Sequence, residues 1–173
     1  MKHFFLAIVL TVASATAFAY NVGETVQDIA IPHLSTTGAI TTKNLLSGES
    51  STQFKVIEFF LTTCPLCNAN RPIFSRLNQE FQGKVLFKLV GIDRPNRRTG
   101  RPDAILNYVS AHSRELQFEI GLDHDRAAYN LYDITETPTL YVLNANNEVV
   151  YKHGHQVINA RAEAEIRSII QGK

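Results

Sequence analysis

The sequence predicts one α/β domain whose central mixed sheet is flanked by helices, and three features point to it. Two nearly unbroken apolar runs, Phe54–Leu61 and Val85–Ile92, enclose a segment with helical periodicity. Two β-prone segments, Thr139–Leu143 and Glu148–Lys152, surround the turn-forming residues Asn144, Ala145, Asn146 and Asn147. An amphipathic stretch from about Ile158 to Ile170 follows them, with Ala162, Ile166, Ile169 and Ile170 on one side. The composition agrees: 45% of the 173 residues are hydrophobic and 19% charged, which supports a real core and excludes disorder or low complexity.

The first residues read differently from the rest. Lys2 and His3 precede the apolar run Phe4–Leu10, and small residues lead to Ala17-Phe18-Ala19. A charged start, a short apolar centre and an A-x-A end predict an export signal over residues 1–19, with the folded domain over 20–173. A spanning helix needs roughly 20 apolar residues, more than this run offers, so no stable membrane insertion is expected after cleavage. The expected location is the periplasm, as a soluble protein.

Ile29–Ile31 and Gly38–Thr42 have the pattern of an N-terminal hairpin. Phe54–Leu61 lacks polar alternation, as a strand covered on both faces does. Ile73, Leu77 and Phe81 then recur every fourth residue, predicting a helix that runs from the cysteine pair to about Gln82 and stops at Gly83. Val85–Ile92 returns as a second buried strand. Strand, helix and strand in that order predict a right-handed parallel crossover, with Cys64 and Cys67 at the carboxyl end of the first strand. Asp93 to Asp103 is a loop rich in Arg, Pro and Gly, followed by a helix over Ala104–His112, a strand near Gln117–Leu122 and a helical turn over Arg126–Tyr132. No repeat or long linker divides the chain.

Charge excludes some functions. Seventeen basic and sixteen acidic residues leave a formal charge of +1, too little to recruit nucleic acid or an anionic membrane globally. Arg94, Arg97, Arg98 and Arg101 concentrate in one loop; a solvated loop is the expectation there, with an acidic partner as the alternative. Four arginines without interleaved aromatics do not argue for nucleic acid.

The chemistry centres on Cys64 and Cys67, the only two cysteines, separated by Pro65 and Leu66. Two are too few for a disulfide scaffold or a four-cysteine zinc site. A bridge across two residues closes a tiny loop and restrains little of the unfolded chain, so a redox or metal role is favoured over a staple. A helix amino terminus favours thiolate and can take a cysteine pKa from about 8.5 to ~3.5–7.5. Cys64 sits where that effect acts, and Cys67, one turn on, is placed as the shielded resolving thiol.

Glu58 lies six residues before Cys64, Pro72 five after Cys67, and Thr137-Pro138 stands directly before an apolar strand. In these offsets the sequence resembles the thioredoxin superfamily. The resemblance implies a thioredoxin-like fold, Glu58 as proton relay for Cys67, and a cis Pro138 packed beside the disulfide. It also implies a substrate-contacting set of Thr137, Pro138, Pro65 and Leu66, with the Thr137 backbone holding an extended peptide. The N-terminal hairpin extension and a short insertion between the CxxC helix unit and the cis-proline strand resemble the exported TlpA/ResA/CcmG-type oxidoreductases. Val22-Gly23-Glu24 is also similar to theirs. Two positions depart from that pattern: Thr63 stands where a Trp is usual, and Asn70 where some of those reductases carry an acid.

The function expected from this resemblance is exchange of protein disulfides through Cys64 and Cys67, reduction or isomerisation being favoured over oxidation. Such a reductase takes electrons from a membrane donor of DsbD type and acts on disulfide-containing proteins. No cofactor or resident metal is expected. Two alternatives stay open. A copper or zinc carrier would use the cysteines with His153 or His155. A thiol peroxidase would share the fold, although Leu61 occupies the position where that family has Thr.

Overall fold

The computed structural model describes residues 20–47 and 53–172. The expected export signal over residues 1–19 lies outside the described residues. A seven-stranded mixed sheet forms the centre, in the order β2-β1-β5-β4-β3-β6-β7. The strands are β1 (Ala30–Leu34), β2 (Ile40–Asn44), β3 (Phe54–Phe60), β4 (Val85–Gly91), β5 (Ile120–Leu122), β6 (Thr139–Leu143) and β7 (Val149–Gly154). The helices are α1 (Pro65–Glu80), α2 (Asp103–Ala111), α3 (Ala127–Leu131) and α4 (Ala160–Ile170). β3 and β4 pair in parallel, joined through α1, while β6 runs antiparallel on the other side of β3. The thioredoxin-like α/β architecture, with helices flanking a central mixed sheet, is therefore present.

Two apolar layers cover the sheet. Val56 and Phe60 of β3 face α1, α2 and α4 through Phe74, Leu77, Ile105, Ile158 and Ile166. Ile57 and Phe59 face the opposite layer, built from Val26, Leu45, Leu46, Ala128 and Tyr132. Both sides of β3 are thus dry, which explains its unbroken apolar sequence.

Some boundaries differ from the sequence-based expectation. The N-terminal hairpin extends further along the chain than Ile29–Ile31 and Gly38–Thr42, because β1 is held on both edges, by β2 and by β5. Backbone bonds join position 29 to 45 and 35 to 39. Pro32 falls between the bonded pairs of the alternating ladder, so its missing N–H costs β1 no bond to β2. β5 is only three residues long, and the first half of the expected Gln117–Leu122 strand is irregular, with a bend at Phe118. The buried stripe of α1 is Cys67, Asn70, Phe74 and Leu77, with Ile73 half-buried beside it. The four-residue spacing pointed to the right helix and slightly misplaced its inner face.

Candidate active site

The turn between β3 and α1 carries the cysteines to the carboxyl end of the sheet. Cys64 is the N-cap of α1, Pro65 follows as its first residue, and the Cys64 sulfur accepts the Cys67 N–H at 3.2 Å. Proline suits the first helical turn, where its missing donor would have had no partner. The two cysteines are disulfide-bonded, with their Cα atoms 5.3 Å apart. Cys64 is half-buried, whereas Cys67 is only 2% exposed, so the pair presents one sulfur outward and shields the other.

Two neighbouring strand ends frame Cys64. On the β4 side, Asp93 accepts from the Thr62 N–H at 3.0 Å and from the Thr62 hydroxyl at 2.7 Å, fixing the turn two residues before Cys64. The Asn68 amide reaches the Thr62 carbonyl at 3.5 Å from the first turn of α1. On the β6 side, the Thr137–Pro138 peptide is cis, and the Thr137 carbonyl oxygen lies 3.6 Å from the Cys64 sulfur. Thr137 is half-buried and Pro138 buried; Pro65 is exposed and Leu66 half-buried. The residues expected to touch substrate therefore meet around one sulfur.

Glu58 lies on the α1 side of β3 and is 1% exposed. Burial pushes its carboxyl up to about 8, against the opposing pull of a 3.2 Å bond from the Asn70 amide. Among the described residues no cation pairs with this carboxyl. Asn70 is fully buried, and its carbonyl oxygen accepts the Ile158 N–H at 2.7 Å. It clamps Glu58 between α1 and the approach to α4. Sequence reasoning noted Asn70 only as a departure from a family pattern. Its position three residues after Cys67, and four before Phe74, was the available signal that it points inward.

Three further groups shape the site without having been singled out. Asp93 is one. Asp123 is another, accepting the Ala128 and Tyr129 N–H groups at 2.9 and 2.7 Å and so anchoring α3 ahead of the Thr137 loop. Arg71 is the third: it joins α1 to Glu115 at 2.7 Å and to the Tyr108 hydroxyl of α2 at 3.1 Å.

The histidines of the metal alternative sit across the Thr137 loop. The His155 N–H donates to the Pro138 carbonyl at 2.8 Å, and its exposed ring lies 3.9 Å from Glu136. His153 stacks on Tyr151, with its Nδ1 3.4 Å from the hydroxyl. His153 is partly covered, with its ring running parallel to that of Tyr151.

The family model described as "AhpC/TSA family" matches residues 22–152. The chain belongs to the AhpC/TSA family. No curated protein matches it. Among solved structures, a Chlorobium tepidum protein assigned as thiol:disulfide interchange protein DsbE superposes with a TM-score of 0.69 at 16% identity, covering 88% of this chain and 97% of that one. A secreted Mycobacterium tuberculosis disulfide oxidoreductase gives 0.60 at 18% identity, covering 82% and 95%. Mycobacterium tuberculosis AhpC gives 0.65 at 17% identity, covering 88% and 92%. At these identities the structures establish a shared thioredoxin-like fold. This AhpC/TSA member therefore pairs a thioredoxin-like fold with a Cys64–Cys67 disulfide. Among its described residues no helix is long and apolar enough to cross a membrane.

Proposed function

We propose that this protein is an exported thiol–disulfide oxidoreductase that reduces or isomerises protein disulfides in the periplasm. The observation that carries the reading is the asymmetric pair: a partly exposed Cys64 at a helix N-cap, a buried Cys67, and Glu58 buried on the same face of the sheet.

In the reduced protein, the amino terminus of α1 and the Cys67 N–H stabilise a Cys64 thiolate. That thiolate attacks one sulfur of a substrate disulfide, forming a mixed disulfide and releasing the other substrate sulfur as a thiolate. Glu58 takes the Cys67 proton, and Cys67 then attacks the Cys64 sulfur. The Cys64–Cys67 disulfide forms, the second substrate sulfur leaves, and two electrons have passed to the substrate. The Thr137–Pro138 segment, with Pro65 and Leu66, borders the attacked bond, and the Thr137 backbone lines an extended substrate strand. A membrane donor of DsbD type restores the dithiol.

Trapping tests this directly. A Cys67→Ser variant, expressed with its leader, accumulates mixed disulfides with exported proteins that a reducing agent releases. The wild-type cysteines are mostly reduced when thiols are alkylated in intact cells. Absence of mixed disulfides overturns the exchange reading; a fully oxidised pair overturns its reductive direction. The family match and the likeness to AhpC favour thiol peroxidase as the second reading. Rapid peroxide consumption without a protein disulfide would establish it.

A further inference from the structure

Sheet order gives the rim of Cys64 two unlike sides. β3 lies between β4 and β6, so the loop after β4 and the loop before β6 border the cysteine turn from opposite flanks. The β6 flank carries Thr137, Pro138 and the acidic Glu136. The β4 flank begins at Asp93, which is bonded to Thr62, and continues directly into Arg94, Arg97, Arg98 and Arg101.

That basic loop is folded rather than loose. The Asn96 N–H donates to the Arg101 carbonyl, and the Gly100 N–H to the Asn96 carbonyl, both at 2.8 Å. The Asn96 side chain accepts the Arg98 N–H and donates to Asp103, both at 2.9 Å. Gly100 takes a φ of 68°, where a side chain would be strained. The acids of this flank are already engaged. Asp93 is held by Thr62, and Asp103 is met by Asn96, Thr99 and Arg101. Arg94, Arg97 and Arg98 are exposed and have no acidic partner among the described residues. In a chain with a formal charge of +1, these unpaired cations form a local concentration rather than a share of a general excess.

We propose that the 94–101 loop is a docking surface for an acidic polypeptide segment flanking the disulfide that Cys64 attacks. This rests on the disulfide-exchange reading and names its substrate class. A chain lying across Cys64 meets the Thr137 backbone on one side and the arginines on the other. Acidic residues just beyond its cystine on the β4 side find guanidinium groups. Glu136 disfavours the reversed placement, so the charge pattern fixes the substrate's direction as well as its composition. Because the loop is already held by its own bonds, docking orders little new backbone.

The test uses three synthetic peptides that share one cystine and differ only in flanking aspartates, lysines or serines. Single-turnover reaction with the reduced protein, lacking residues 1–19, is followed at low salt and at about 0.5 M salt. The aspartate peptide reacts at least about tenfold faster than the serine peptide at low salt, and the advantage fades at high salt. In the triple variant Arg94→Ser/Arg97→Ser/Arg98→Ser the aspartate-to-serine rate ratio falls to near one, with an unchanged thermal midpoint reporting that the fold is intact. Equal rates for all three peptides in the wild type overturn the proposal, as does a ratio that survives in the variant. Salt-sensitive binding to phosphatidylserine vesicles without any peptide preference also overturns it, marking the loop as a membrane contact. If no peptide reacts, the exchange reading itself has failed. Docking is then decided by titrating a cysteine-free aspartate peptide into the oxidised protein. Amide shifts confined to residues 94–101 and their β4 flank uphold it, and no shifts refute it.

Discussion

Two ionisable residues enter the centre of one sheet at adjacent register positions and are treated in opposite ways. Glu58 stands opposite Leu89, and Lys88 opposite Ile57, on the paired strands β3 and β4. One residue of offset puts them on opposite faces of the sheet. Lys88 finds its own acid, Glu119, at 2.9 Å, and Lys43 meets the same carboxylate. Burial works to raise Glu119, but the bonds from Lys43 and Lys88 outweigh it and hold the carboxylate down at about 2. Among the described residues Glu58 is met by the neutral Asn70 amide and by no cation, and burial pushes its carboxyl up to about 8. The pleat keeps apart a carboxylate and an ammonium that a one-residue slip would bring to the same face. An acid held by counter-charges is a structural group; a buried one denied a counter-charge can gain and lose a proton near neutral pH.

The largest expected effect comes from removing the unneutralised acid. Glu58→Gln slows Cys67-dependent resolution by about 100-fold, the scale of one general base. The same change raises stability at neutral pH. The raised native pKa means that the folded protein holds a proton the unfolded chain has lost, so Glu58 lowers stability progressively between pH 4.5 and about 8. At pH 7 the gain in Glu58→Gln is about 3 kcal/mol, and it disappears below pH 4.5. Denaturant titrations across this range check both the size and the sign.

Glu119→Gln should do the reverse. It strands Lys88, which is only 1% exposed, and costs about 2 kcal/mol, reduced from a fully buried pair because Glu119 itself is partly solvated. The lowered native pKa makes this contribution present above pH 4.5 and lost as pH falls toward about 2. Exchange rates stay within about twofold, because the ion pair is on the far face. Nearby His33, held down at about 4 by burial and by Lys88, adds a loss of stability as pH falls from 6.5 to 4.

The smallest change sharpens the contrast. Asn70→Asp places a second carboxyl 3.2 Å from the first, where the two cannot both ionise readily. The pH midpoint of resolution moves up by about one unit, read from single-turnover rates. An unchanged midpoint would mean that the residue at position 70 does not govern the ionisation of Glu58.

How far the sequence carried this account depends on which forces act locally. α1, β3 and β4 were legible because their apolar periods are strong, and the CxxC turn between them followed from strand–helix–strand order. The face of Lys88 was not, since a strand buried on both sides has no alternation to read, and its partner Glu119 lies on a segment 31 residues away. β5 was overextended because only three of its residues find strand partners. The resemblance to the thioredoxin superfamily implied that Thr137 and Pro138 sit beside Cys64, and they do converge in space. Asp93 and Asp123 escaped notice because each acts on backbone N–H groups of a turn or short helix, which leaves no pattern in composition.

The most direct test of the central claim is the pH dependence of a single step: attack by Cys67 on a preformed mixed disulfide at Cys64, in wild type and in Glu58→Gln. The account predicts a wild-type rate with an inflection near 8 that is absent from the variant, which reacts more slowly at neutral pH and approaches the wild-type rate only as the Cys67 thiol itself ionises. Superimposable profiles would contradict it, leaving Glu58 as a buried carboxyl without a part in the proton transfer.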